Sequence, residues 1–129
     1  MYPLSDMLIK IKNASIATHA SVTVPASKMK AAVLACLKKE GFVGGITEKS
    51  VKGHPVLEVV LAYNADGTPK VSSVTCISKP SRRMYMGVKE IRLVKNGMGL
   101  AVLSTPKGIL SGREARKEQV GGEILCNIW

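Results

Sequence analysis

Aromatic side chains are scarce in this 129-residue chain, where Tyr2, Phe42, Tyr63, Tyr85 and Trp129 make up the whole set. A surface that stacks successive single-stranded bases on rings needs more of them, so such a platform is not expected. Cysteine is equally sparse. Cys36, Cys76 and Cys126 are odd in number, widely separated and nowhere in a C-x-x-C pair with His19 or His54 nearby, which argues against both a disulfide framework and a metal site. Each sits among apolar neighbours (LAC, VTCI, ILCN) and reads as a small buried hydrophobe. Long apolar runs are missing too: charge-free apolar stretches span a few residues, far short of the roughly 20 needed to cross a bilayer. No membrane association is expected. Met1 to Asn13 holds neither an unbroken apolar segment nor an arginine, so a presequence is not expected either.

The last shortage is of acid. Nine Asp and Glu stand against nineteen Lys and Arg, 19 − 9 = +10 at neutral pH, and such an excess calls for an acidic partner, nucleic acid first among the abundant ones. The excess is shared along the chain, with 8 basic and 4 acidic residues before Asn64 and 11 and 5 from there on. Its densest piece runs from Lys79 to Lys95, where Lys79, Arg82, Arg83, Lys89, Arg92 and Lys95 face only Glu90. At 46% hydrophobic and 22% charged residues, the chain is able to bury a core and is unlike a disordered basic tail.

Catalytic readings find little support. Ser104 and Lys107 have S-x-x-K spacing, but no K-T-G triplet accompanies them and Pro106 marks a turn instead of a catalytic helix. The NGMG run at 96–99 lacks the remainder of either phosphate-loop pattern. Neither histidine has a carboxylate at a spacing that would orient it as a base. The chain is expected to have no catalytic residue, no cofactor, no metal and no small-molecule substrate.

The periodicities predict an α+β protein of two small domains. Leu4, Met7, Leu8, Ile11 and Ala14 repeat at helical spacing over Ser5 to Ile16, leaving Lys10, Lys12 and Asn13 off the stripe. A short strand around Val22 to Pro25 is followed by a helix capped by Ser27, with stripe Met29, Ala32, Val33, Cys36 and Leu37 and an end at Gly41. Phe42 to Ser50 and Val56 to Tyr63 read as two strands around a turn. Residues 1–63 thus form an αβαββ domain, and NADGTPK (64–70) is a turn or linker. In residues 71–129, Val71 to Ser78 and Leu100 to Ser104 read as strands and Val88 to Lys95 is ambiguous between strand and helical turn. Ser111 caps a short helix to Gln119 that Gly121 and Gly122 stop, and Glu123 to Trp129 is a final strand.

Ser104, Thr105, Pro106, Lys107 and Gly108 are read as a loop between a strand and the short helix, offering hydroxyls, a point charge and close backbone approach. Hydroxyls at a rigid tip suit the shallow minor groove of RNA, which displays 2′-hydroxyls and phosphates. Arg113, Arg116 and Lys117 extend a phosphate track, or else pair with Glu114 and Glu118 on a solvated helix face. Tyr85, beside Arg82 and Arg83, is either a stacking ring or a core residue.

Three runs carry a family likeness. VLSTPKGILSGREARKEQVGGEILCNIW closely resembles the C-terminal signature of small-subunit ribosomal protein eight of the bacterial type, DMLIKIKNA resembles that family's opening helix, and SKPSRRMY its segment leading to a tyrosine. The resemblance implies a primary rRNA-binding protein on the central domain of small-subunit rRNA that helps assemble the platform. It also implies a place in a cytoplasmic or organellar ribosome and neighbouring ribosomal proteins that include small-subunit protein five. It points to Ser104, Thr105, Lys107, Gly108 and Glu123 as RNA-facing, with Tyr85, Arg82 and Arg83 alongside. Lys10, Lys12, Asn13, Lys28 and Lys30 would form a second contact. Many members have serine where this chain has Pro106, which removes a hydroxyl and an amide donor. A basic chaperone or mRNA-binding regulator is the competing reading of the same surface.

Overall fold

The computed structural model describes residues 3–77, 82–91 and 99–129, which divide into two compact units, Pro3–Ser72 and Ser73–Trp129.

In the first unit, helix α1 (Pro3–Ile16) leads to strand β1 (Ser21–Pro25), helix α2 (Lys28–Lys39) and strands β2 (Val43–Val51) and β3 (His54–Leu61). Leu4, Met7, Leu8, Ile11 and Ala14 are all buried, as the helical spacing predicts. The stripe of α2 is buried at Val33, Cys36 and Leu37 as the spacing predicts, with Leu34 added to it, whereas Met29 in the first turn is exposed. Ser27 caps α2 by accepting the Lys30 N–H at 3.2 Å. At its other end Phe42 N–H donates to Leu37 O and Gly41 N–H to Lys38 O, with Gly41 at φ +84°, the paired bonds of a glycine-terminated helix. The strands form an antiparallel sheet in the order β1-β3-β2. Leu57, Val59 and Leu61 of β3 are buried and the alternate Val60 is exposed, so one face is covered, with α1 along β1 and α2 along β2. The 64–70 segment is tied down: Asn64 N–H donates to Thr68 O at 2.7 Å, and Asp66 Oδ1 accepts from both the N–H and the hydroxyl of Thr68.

In the second unit, β4 (Val74–Cys76), β5 (Tyr85–Met86), a 3-10 turn (Val88–Glu90), β6 (Leu100–Thr105), β7 (Gly108–Ser111), α3 (Gly112–Lys117) and β8 (Gly122–Ile128) follow in order. The sheet runs β4-β8-β6-β7, with β5 also on β8, all antiparallel. Its α3 side is closed by Ile91, Ala101, Leu103 and Ala115, against which Met86, Leu110 and Val120 pack. The short helix is fixed by a reciprocal cap: Glu114 N–H donates to Ser111 Oγ at 3.1 Å and Ser111 N–H to Glu114 Oε1 at 3.3 Å.

Three expectations need correction. Between Val71 and Ile77 only Val74–Cys76 is strand. The 104–108 run is no strand-to-helix loop, because β7 intervenes and makes it the tip of a β6-β7 hairpin. Finally, α3 ends at Lys117 with Gln119 at φ +56°, so the two glycines after it serve a different purpose. Lys79, Arg92, Lys95, the NGMG run at 96–98 and positions 78–81 of the SKPSRRMY run lie outside the described residues.

Candidate nucleic-acid interface

β8 enters the sheet through a gap that only glycine fits. A Cβ on Gly122 would lie 3.0 Å from the carbonyl carbon of Ser104 and 3.1 Å from Thr105 Cα, and closer still to Ser104 O; one on Gly121 would lie 2.8 Å from Gly87 Cα. The obstacles are backbone, which has no rotamer to yield. Threading this gap sets Glu123 directly opposite Tyr85 of β5 on one side and Ser104 of β6 on the other, and Ser104 is opposite Ile109 of β7. Opposed residues project from the same face, so Tyr85, Glu123, Ser104 and Ile109 form one row across four strands. Tyr85 is 69% exposed, which decides between its two readings: it is no core residue.

The Glu123 carboxylate is not a bare negative charge. Its Oε2 accepts from Arg83 Nη1 at 3.1 Å, with the glutamate side chain 17% and the arginine 44% exposed. Arg83 compensates the charge through Oε2, and among the described residues no donor reaches Oε1, which can accept from another group. Arg82 is exposed next to it.

The hairpin tip holds itself rigid. Pro106 and Lys107 connect Thr105 to its partner Gly108, and the Thr105 hydroxyl donates to Gly108 O at 2.8 Å while accepting the Lys107 N–H at 3.2 Å. Gly108 has φ +112° with open space where a Cβ would be, so conformation and not crowding calls for glycine there. Thr105 has therefore committed its proton to the turn, which leaves Ser104 as the adjacent hydroxyl in the row. Lys107 Nζ sits 3.2 Å from Glu118 Oε2, an exposed pair. The sequence left open whether Glu118 pairs with the helix's own cations; the fold sends it to Lys107 of the hairpin. Nothing in a separation of eleven residues signals that pairing, whereas the close-approach role of Gly121 and Gly122 was available in the G-G-E run itself.

Arg113 and Arg116 are exposed on α3, and among the described residues neither is held in an ion pair. In the first unit, Lys10 is exposed and its Nζ donates to Thr23 O at 2.6 Å. Asn13 and Lys28 are exposed, and Lys12 and Lys30 half-buried. Among the described residues no group of His, Cys, Asp and Glu could hold a metal ion, and no described helix is long and apolar enough to cross a membrane.

The chain is similar to known proteins along its length. The sequence profile of the family described as Ribosomal protein S8 matches residues 2–129. Proteins named small ribosomal subunit protein uS8 from Granulibacter bethesdensis, Thermus aquaticus and Roseiflexus castenholzii are 46%, 45% and 42% identical to it, covering 98% of this chain and 96%, 97% and 96% of their own lengths.

Proposed function

Because the chain belongs to the ribosomal protein S8 family, we propose that it is a non-enzymatic component of the small ribosomal subunit that binds the central domain of small-subunit rRNA and helps assemble the platform. The observation that carries this reading is the row of Tyr85, Glu123 and Ser104 beside a self-braced hairpin tip on a strongly basic chain. Affinity comes from phosphate contacts by Arg82, Arg113, Arg116 and Lys107, which track backbone without reading sequence. Selection comes from the row. Ser104 offers a hydroxyl and Glu123 an acceptor oxygen to 2′-hydroxyls or base amino groups across a minor groove, and Tyr85 offers a ring to an exposed base. Arg83 keeps Glu123 from repelling phosphates. Thr105 and Gly108 act by holding the tip in shape. Lys10, Lys12, Asn13, Lys28 and Lys30 supply the second contact, and neighbouring ribosomal proteins, small-subunit protein five among them, complete the setting.

Single substitutions test this division. Tyr85→Ala and Ser104→Ala should each weaken binding to a central-domain rRNA fragment by about 1 kcal/mol or more, as lost directional contacts do, with unchanged salt dependence. Lys107→Ala should instead lower the salt slope by roughly one. If all three weaken binding equally to that fragment and to unrelated duplex RNA, the row does not select the site.

A further inference from the structure

β4 and β8 place two thiols side by side. Cys76 of β4 is directly opposite Cys126 of β8, which is in turn opposite Val102 of β6. The ladder's hydrogen bonds fix what kind of pair this is. Ser73 and Trp129 exchange both backbone bonds, at 2.8 and 3.0 Å, and Ile77 N–H donates to Leu125 O at 3.0 Å. The two kinds of pair alternate along an antiparallel ladder, so the Cys76 and Cys126 pair falls at a non-hydrogen-bonded position, where Cα atoms stand about 4.5 Å apart and side chains approach most closely. That spacing lies within the ~4.4–6.8 Å over which disulfides form, at its short end. Both residues are thiols, Cys126 buried and Cys76 half-buried. Cys36 is buried on α2, in the first unit.

We propose that Cys76 and Cys126 are a peroxide-oxidisable thiol pair, a reversible modification site that staples the edge strand β4 to the strand carrying Glu123. Cys76, the more accessible thiol, attacks hydrogen peroxide as its thiolate. The O–O bond breaks, leaving a sulfenic acid on Cys76 and a hydroxide that takes up the proton lost from the Cys76 thiol to give one water. The Cys126 sulfur then attacks the Cys76 sulfur; the S–S bond forms, the S–O bond breaks, and the departing hydroxide takes up the proton lost from Cys126 to give a second water. Two thiols are oxidised and one peroxide is reduced to two waters. A dithiol reductant reopens the bridge by thiol–disulfide exchange. β4 is a short edge strand, Val74–Cys76, paired with β8 and flanked by the Ser73–Trp129 and Ile77–Leu125 backbone bonds, so the staple adds a covalent tie to an edge otherwise held by hydrogen bonds.

The test uses the full chain, reduced, freed of reductant and treated with a few equivalents of hydrogen peroxide. The expected result is a monomer whose intact mass has lost two hydrogens, a Cys76 to Cys126 cross-linked peptide under non-reducing digestion, and Cys36 still open to alkylation after denaturation. The melting temperature should rise, and dithiothreitol should reverse the rise. Cys76→Val, a β-branched residue at a half-buried edge position, should melt like the reduced wild type and show no peroxide-induced shift, which separates loss of the bridge from loss of the fold. A sulfinic acid on Cys76 without a cross-link, a Cys76-linked dimer, or the same loss of two hydrogens in Cys76→Val would overturn the proposal.

Discussion

Replacing Gly122 with alanine should unseat the strand that carries Glu123. The added methyl would lie 3.0 Å from the Ser104 carbonyl carbon and 3.1 Å from Thr105 Cα, and closer still to the carbonyl oxygen, all of it backbone in β6. Relief requires β8 and β6 to part by something on the order of 1 Å, an overpacking cost of ~1–3 kcal/mol. Parting them also weakens the end of the ladder where Ser104 faces Glu123, adding about 1 kcal/mol for a lost hydrogen bond. The sum, ~2–4 kcal/mol, corresponds to a fall of roughly 8–16 °C in melting temperature for a chain of this size. Thermal melts followed by far-ultraviolet circular dichroism read it directly. Gly45→Ala is the matched control: its Cβ would meet nothing within 4 Å, and it should be neutral or stabilising by a few tenths of a kcal/mol, ~0.4 or more. A Gly122→Ala protein melting within about 2 °C of wild type would refute the close-approach argument, since even the lower bound predicts several degrees.

Other consequences are open to equally direct checks. Thr105→Val removes both hydroxyl bonds of the hairpin tip and should cost ~1–2 kcal/mol in denaturant unfolding, while Thr105→Ser should restore most of it; equal losses in both variants would deny the turn-bracing role. Glu118→Gln releases Lys107 from an exposed pair worth ~0–1 kcal/mol, so low-salt affinity for any duplex RNA should rise by at most about five-fold while stability falls by no more than that ~1 kcal/mol; weaker binding would contradict the competition between Glu118 and RNA for Lys107. Asp66 is held below the ordinary carboxylate value of 3.8, first by the Thr68 hydroxyl and then by its N–H. A folded value below the unfolded one means that its contribution is complete above about 3.8 and is lost as pH falls through the depressed folded value. A carboxyl NMR titration should therefore place the Asp66 midpoint below 3.8, with Thr68 amide exchange quickening only at acid pH; a midpoint at or above 3.8 would break the argument.

Much of the first unit was legible because long periodic segments announce themselves. The stripe of α1, the Ser27 cap and the Gly41 stop are all found where the sequence places them. The stripe of α2 holds at Val33, Cys36 and Leu37 but not at Met29, and it takes in Leu34 as well: spacing alone admits Met29 as readily as Leu34, and only packing in the fold decides between them. In the second unit β5 has two residues and β7 four, too few to display a period of two, and the Thr-Pro-Lys-Gly run hid a hairpin behind residues that read as loop. The proposed site residues Ser104, Tyr85 and Glu123 were picked out through the family resemblance and local chemistry, but their alignment in one row is a property of strand register. So is the pairing of Arg83 with Glu123 across forty positions. The commitment of the Thr105 hydroxyl to its own turn could not be foreseen from composition either, since it depends on the two-residue length of the connection.

The central claim is selective rRNA binding, and one experiment addresses it most directly: the full chain is bound to a central-domain small-subunit rRNA fragment in competition with excess unrelated duplex RNA, at physiological salt and again at higher salt. The account predicts a preference of ~10² or more for the fragment that persists as salt rises, since the selecting contacts outlast the electrostatic ones. Equal binding to both RNAs, collapsing together as salt increases, would contradict it and leave a general basic RNA binder in its place.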